Sequence, residues 1–293
     1  MIGDTTAADD NARWVAEAGE EERIQYSRSD RWITYPRAKS ILDRMEELLA
    51  YPRNSRMPSL LVVANAGMGK TQIDERFCRV HAPHFDEENH RSTTPVVSMQ
   101  MPAAATDRLF YMTLIRSIGG VFSPRISTAE AMCMALQLYK ELGVRLLIFD
   151  EAHNMLAGTF RDQRRILTQL RYVSNELRLP LVCFGVSAAR EAIASDPQLA
   201  RRFGMVELPQ WEVDVDFKGL ISTALKGLPL RRPSTLDLTA LQTIVRTTRG
   251  NTARIFEMIA DLAVQAIRTG EERIAAEMIT AWKPSIYERT LAA

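Results

Sequence analysis

Two hydrophobic patterns divide this chain. Up to about residue 211, short runs of consecutive apolar residues alternate with longer stretches whose apolar positions recur every three or four residues; beyond it only the second kind persists. The runs at 60–64, 95–99, 144–149 and 180–185 have the length and composition of strands buried on both faces. Between and after them the spacing predicts helices over 70–81, about 107–118, 128–142, about 162–177 and about 188–194, with a short strand from Met205 to Leu208. Such alternation implies a parallel sheet joined by crossover helices. The helix over 128–142 is the best marked, with Ser127-Thr128-Ala129-Glu130 as a capping box and Gly143 as its stop.

Upstream, Ile41, Leu42, Met45, Leu48 and Leu49 give Arg37 to Ala50 an amphipathic helical spacing that Pro52 stops. Residues 1–30 are polar and charged, with a helix-compatible stretch from Trp14 to Tyr26, and read as an N-terminal arm. Residues 31–211 then form an α/β domain. Residues 212–293 form a small helical one, with helices over about 213–226, 239–248, 252–269 and 271–282, the second opened by Thr239-Ala240-Leu241-Gln242. The segment from Asp86 to Thr94 reads as a polar loop, and no internal repeat or low-complexity run is visible.

The first strand runs into Ala64-Asn65-Ala66-Gly67-Met68-Gly69-Lys70-Thr71. A strand that breaks into a glycine-containing loop ending in Gly-Lys-Thr is a phosphate cradle, where backbone N–H groups, a lysine and a helix N-terminus converge on one anion. A second apolar run, Leu146 to Phe149, ends in the carboxylates Asp150 and Glu151. A triphosphate held by Lys70 and the loop amides still needs a metal against its β and γ oxygens, and Thr71 and Asp150 suit Mg²⁺ directly or through its waters. Glu151 is placed to act as the base that orients and deprotonates an attacking water. Either motif alone has an ordinary reading, as a turn or as acids at a helix start. Together, each behind its own buried strand, they point to nucleotide chemistry. Ala64 stands where the loop pattern opens with glycine. A positive φ there would cost about 1 kcal/mol or more, so Gly67 and Gly69 are expected to carry the turns.

Composition narrows the partners. With 293 residues, 46% of them hydrophobic and 25% charged, the chain can bury a full core and divide into two domains. No apolar stretch reaches the roughly 18 residues of a membrane span, and Asp4, Asp9 and Asp10 make the start unlike a signal peptide, so a cytoplasmic protein without a membrane partner is expected. Cys78, Cys133 and Cys183 show no pairing pattern. The net charge of +1 confines any nucleic-acid contact to a local stripe. Arginine supplies 31 of the 37 basic residues, a bias that fits phosphate contacts and subunit interfaces alike.

Further constellations stay open between a chemical and a structural role. Ser187, after Gly185-Val186, offers a hydroxyl to the γ-phosphate or the attacking water, or else a cap to the following helix. Arg201 and Arg202 offer two guanidinium groups at an expected subunit boundary, and an arginine supplied in trans stabilises the phosphoryl-transfer transition state. Arg254, in Gly250-Asn251-Thr252-Ala253-Arg254, either projects toward the phosphates or lies exposed on a helix face. Cys78, His81, His84 and His90 are spaced like weak metal ligands but lack a matching CxxC pair, and His153 reads as a loop hydrogen-bonder. For DNA the candidates are Thr106, Arg108, Arg116 and Arg125 on loops after the second strand, gripping phosphates without reading bases.

Taken in order, Arg31-Trp32-Ile33-Thr34-Tyr35-Pro36, Ala64 to Thr71, Ile148 to Asn154, Leu199 to Phe203, Leu208-Pro209-Gln210-Trp211 and Leu228-Pro229-Leu230-Arg231 resemble the TniB/TnsC transposition ATPases over about Glu21 to Trp282. The Trp-Ile-x-Tyr-Pro and Leu-Pro-x-Trp segments are the most particular part of the likeness. The resemblance implies an α/β AAA+ P-loop NTPase with a five-stranded parallel sheet and a helical lid. It implies an ATP- and Mg²⁺-dependent protein that forms a ring or helical filament on double-stranded DNA, engages a DDE transposase, and answers to a target-selection protein. It further implies roles: Asn65, Ala66, Gly67, Met68, Gly69, Lys70, Thr71 and Gln72 around the phosphates, Asp150 at the metal, Glu151 as base and Ser187 near the sensor 1 position. Arg201 or Arg202 would be the finger, Arg254 sensor 2, and Trp32, Tyr35 and Pro36 would wrap the adenine. A helicase loader or initiator of the same fold, and a nucleotide-sensing scaffold without DNA contact, are the competing readings.

Overall fold

The computed structural model describes Trp14 and residues 17–87, 90–103 and 106–283. These fall into two compact units, one over Arg37–Pro209 and one made of the residues up to Pro36 with those from Gln210 on. Among the described residues no helix is long and apolar enough to cross a membrane.

The Arg37–Pro209 unit holds β1 (Ser59–Ala64), α3 (Lys70–Val80), β2 (His84–Asp86), β3 (Arg91–Thr93) and β4 (Val96–Gln100). It continues through α4 (Asp107–Ser117), α5 (Thr128–Glu141), β5 (Leu146–Asp150), a 3₁₀ turn at Ala152–Leu156, α6 (Phe160–Leu177) and β6 (Leu181–Gly185), then α7 (Ser187–Ala194), α8 (Pro197–Ala200) and β7 (Phe203–Leu208). Helix α2 (Pro36–Ala50) precedes them, and α1 (Glu20–Arg28) belongs to the other unit. Five strands pair in parallel in the order β4-β5-β6-β1-β7. Every residue of β1 is buried, which is why that run carries no alternation in sequence. Leu61, Val63, Leu147 and Phe149 pack with Phe110, Leu114 and Ile115 of α4, Tyr139 of α5 and Leu170 of α6. Because all five strands run the same way, the C-terminal ends of β1, β5 and β6 lie on one edge, and the loops that leave them meet there.

Local signals decide most boundaries as expected. Ser127 and Glu130 form the capping box, and Gly143 turns the chain at φ 66°. Three expectations need correction. The polar stretch from Asp86 to Thr94 is not simply a loop but contributes to an antiparallel hairpin, His84 pairing with Thr93 and Phe85 with Ser92; strands of three residues are too short to show a period. Asp237, not Thr239, caps the helix that starts at Leu238, accepting from the Ala240 N–H. The helix expected over 271–282 shortens to Ala276–Ala281, because Gly270 and Glu272 adopt φ of 72° and 55° and break the approach to it.

The second unit carries α9 (Val215–Lys226), α10 (Leu238–Thr248), α11 (Thr252–Arg268) and α12 (Ala276–Ala281). The expected N-terminal arm lies outside the described residues up to residue 13, and α1 beyond it packs on these helices. Arg23, 4% exposed at its side chain, bridges Glu272 at 2.8 Å and also donates to the Pro229 carbonyl, while Ile24 packs with Val264 and Ile267. Tyr35 meets the Trp211 ring edge-on at 5.0 Å between centroids, so the two most family-like segments of the sequence touch each other. Trp211 also donates its indole N–H to Thr252 at 3.0 Å. Gly250 sits against that tryptophan at φ +63°, where an added Cβ would lie 2.3 Å from the Trp211 carbonyl oxygen. A glycine is therefore obligatory there.

Candidate nucleotide site

The loop after β1 takes its shape from two glycines. Gly67 and Gly69 adopt φ of 74° and 89°, while Ala64 closes the strand without a positive φ. The missing first glycine thus costs nothing, because the strain falls on residues that lack a Cβ. Gly69 hands the chain to α3, whose first residue is Lys70. The Lys70 side chain folds back along the loop and donates to the carbonyls of Ala64 at 2.9 Å and Asn65 at 3.0 Å. Lys70 is only 6% exposed; burial lowers its pKa, and the nearby carboxylates of Glu151 and Asp150 oppose that shift.

Thr71 and Asp150 meet although 79 residues separate them: the Thr71 hydroxyl donates to Asp150 Oδ2 at 2.9 Å. The other Asp150 oxygen accepts the Glu151 N–H at 2.8 Å, pinning a residue that sits in the left-handed region at φ 52°, ψ 39°. A hydroxyl and a carboxylate already in contact are hard oxygen donors of the kind Mg²⁺ prefers, so this pair fits the ion expected from sequence. Glu151 Oε2 lies 3.1 Å from His153 Nδ1. The Glu151 segment also touches the end of β6: a Cβ at Gly185 would come within 2.7 Å of the Ala189 Cβ and 3.3 Å of the His153 backbone nitrogen. Ser187 opens α7 immediately after, and Val186 at the cap position makes no side-chain cap hydrogen bond. The capping alternative for Ser187 is therefore not realised.

Asp74 is a member of this neighbourhood that sequence reasoning missed. It is 5% exposed, accepts from Ser98 Oγ on β4 at 2.5 Å and from Cys78 Sγ at 3.4 Å, and has its pKa pushed up to about 6, chiefly by burial and against those hydrogen bonds, with Asp150 adding to the rise. The signal was present: Ile73, Asp74 and Phe77 fall among the buried positions of α3 beyond Lys70, so a carboxylate stands between apolar residues on the covered face. A raised folded pKa means that the native state binds more protons between about pH 4 and pH 6, so wild-type stability falls as pH rises through that interval. Asp74→Asn is expected to be the more stable protein at pH 8, by about 1–3 kcal/mol, with the difference vanishing near pH 4. Thermal melts of both proteins across pH 4–8 check this; parallel curves would exclude it.

Arg201 and Arg202 separate clearly. Arg202 donates to the Asn175 side chain at 2.7 Å, and its pKa is lowered by burial and by the nearby cations of Arg56 and Arg171. Arg201 is exposed. Of the DNA candidates, Thr106 caps α4 by accepting from the Leu109 N–H at 3.2 Å. Arg108 donates to the carbonyls of Ile126 and Pro124, and Arg116 lies 5.2 Å from the centre of the Phe122 ring. Against expectation, these two arginines lie on α4 and not on a loop, where they hold the connection to α5, while Arg125 stays exposed. Cys78 and His81 are taken by Asp74 and by Glu46 at 2.7 Å, and among the described residues no cluster of three or more His, Cys, Asp or Glu could hold a metal. Trp32, Tyr35 and Arg254 belong to the helical unit, together with Pro36. There Trp32 donates to Thr34 at 2.9 Å, Tyr35 is buried, and Arg254 lies in the first turn of α11, its N–H on Asn251.

A family model described as bacterial TniB protein matches residues 23–213. No curated protein matches the chain. Among solved structures, the chain is similar to the ORC1 protein of Aeropyrum pernix in complex with DNA, at 18% identity and a TM-score of 0.62 over 92% of this chain and 68% of that one. It is also similar to Cdc6p of Pyrobaculum aerophilum, at 18% identity and a TM-score of 0.60 over 86% and 67%. A third likeness is to the Aeropyrum pernix ORC2 protein in its ADPNP-ADP complexes, at 16% identity and a TM-score of 0.57 over 86% and 69%. At these identities the likeness is one of fold, that of AAA+ P-loop ATPases.

Proposed function

We propose, from the premise that this chain belongs to the bacterial TniB family, that it is an ATP-hydrolysing switch which assembles on double-stranded DNA and presents that DNA to a DDE transposase. The observation that carries the reading is the contact of Thr71 with Asp150, beside a buried Lys70 and with Glu151 next in the chain. Nothing in a structural turn calls for that set on one sheet edge.

In this reading Lys70 leaves its loop carbonyls for the triphosphate, and the amides around Gly67 and Gly69 take the remaining phosphate charge. Thr71 and Asp150 hold Mg²⁺, which neutralises the β and γ oxygens when bound. Glu151 orients the attacking water and takes its proton, and Ser187 contacts the water or the γ-phosphate. Trp32, Tyr35, Pro36 and Arg254 are proposed to contact the nucleotide, Tyr35 by shaping its own turn through its packing on Trp211. Arg201 reaches the triphosphate of a neighbouring subunit, since Arg202 is already held by Asn175. The nucleotide is thereby shared between protomers, so ATP favours a ring or filament and hydrolysis releases it.

A net charge of +1 is compatible with DNA binding in such an assembly, because many subunits each contribute a few phosphate contacts. The ORC1 relative is described in complex with DNA, which supports duplex as the ligand but fits a helicase loader equally. Family membership favours transposition. Co-purification with a transposase, and not with a replicative helicase, separates the two. The reading is tested by electron microscopy of the chain with duplex and a non-hydrolysable ATP analogue: the wild-type chain is expected to form multi-subunit assemblies, Arg201→Ala to lose them, and Arg202→Ala to retain them at lower stability. Wild-type monomers on duplex would refute it.

A further inference from the structure

The base proposed for the reaction is fixed at its backbone and loose at its tip. Asp150 accepts the Glu151 N–H, yet the Glu151 side chain is 35% exposed, and the approach of the His153 ring is the one side-chain contact seen for it among the described residues. His153 stands in an uncommon position. Its Nδ1 is buried, lies 3.1 Å from Glu151 Oε2 but out of line for a hydrogen bond, and finds no other partner. A buried ring nitrogen without a partner is costly, and the nearest acceptor is the carboxylate of the base. The residue's backbone is held as well: the 3₁₀ turn Ala152–Leu156 is tied to the end of β4 by Asn154 Nδ2 donating to the Met101 carbonyl at 2.8 Å. It is also backed by Gly185, where a Cβ would crowd the His153 nitrogen.

We infer that His153 is a positioning residue for Glu151: its Nδ1–H donates to Oε2 of the base and so leaves Oε1 to receive the proton of the attacking water. A small rotation of the partly exposed Glu151 side chain brings the existing 3.1 Å approach into line. The inference rests on the proposed ATPase reading and adds to it a residue that sets the direction of the base. It also explains why the left-handed turn at Glu151 is useful: the turn brings a side chain two residues on back beside the carboxylate.

The test is steady-state ATP hydrolysis by the full chain on duplex DNA, with His153→Ala, His153→Asn and His153→Gln. An asparagine amide occupies the place of Nδ1, whereas a glutamine amide reaches toward that of Nε2. His153→Ala and His153→Gln are expected to lose about tenfold in kcat, the scale of a misdirected catalytic group, with KM for ATP within about twofold. His153→Asn should return most of the rate. In the Glu151→Gln background His153→Ala should change nothing further, because residues that act as a unit are not additive. Equal rates for the asparagine and glutamine variants, an unchanged kcat, or an additive loss in the double variant would overturn the inference, and the asparagine–glutamine comparison decides even if the alanine variant fails to fold. A wild-type chain with no ATP turnover would instead remove the ATPase reading, and this inference with it.

Discussion

Glu151→Gln is expected to lower ATP turnover by about 10²–10⁴-fold, the range contributed by a positioned acid–base group, while nucleotide affinity and duplex binding persist. Glutamine keeps the size and left-handed backbone of Glu151 and the N–H that Asp150 accepts, but its amide cannot take a proton from water. Under the proposed switch the variant therefore enters the ATP-bound assembly and does not leave it. Wild-type complexes on duplex should decay as ATP is consumed, and those of the variant should outlast the ATP supply of the wild type. Anisotropy of a labelled duplex, followed in time after a limited dose of ATP, reads this directly. Decay at the wild-type rate would show that hydrolysis does not time release.

The second large effect is at the other end of the phosphate chain. Lys70→Ala should weaken ATP binding by about 10–100-fold, the worth of a charge-assisted contact of about 1.5–3 kcal/mol, and abolish ATP-dependent duplex binding at ordinary nucleotide concentrations. The fold should survive, because the lysine is a buried cation whose burial already depresses its pKa, and its removal relieves that cost while leaving the Ala64 and Asn65 carbonyls without their donor. Calorimetric titration with ATP and a melting curve separate the two consequences. Undiminished ATP-dependent binding to duplex would contradict the coupling of nucleotide to assembly.

Much of the proposed site is legible in the sequence. The phosphate loop and the two carboxylates are local signals, each set by a strand and the residue types that follow it, so Lys70, Thr71, Asp150 and Glu151 emerge from neighbouring positions alone. The substitution at Ala64 was also resolved correctly from backbone sterics, since Gly67 and Gly69 take the positive φ values. The hairpin of His84–Asp86 with Arg91–Thr93 was hidden because its strands are shorter than any period can reveal. The helix before Trp282 was overextended because a left-handed Glu272, held by Arg23 from far away in the chain, is invisible to a window of local spacing.

Periodicity and side-chain chemistry along the chain were sufficient for the class of fold and the alternation of its elements, and they single out the residues proposed to hold phosphate and metal. Pairings across the fold were not legible. That Thr71 touches Asp150, that Asn175 occupies Arg202 while Arg201 stays exposed, that Asp74 is buried on Ser98 and that His153 lies beside Glu151 all depend on strand order and on which helix face is covered. Those contacts join residues up to 79 positions apart, or turn on a single left-handed residue. Neither leaves a trace in the spacing of hydrophobic and polar residues, because spacing records only what each segment does against its own neighbours.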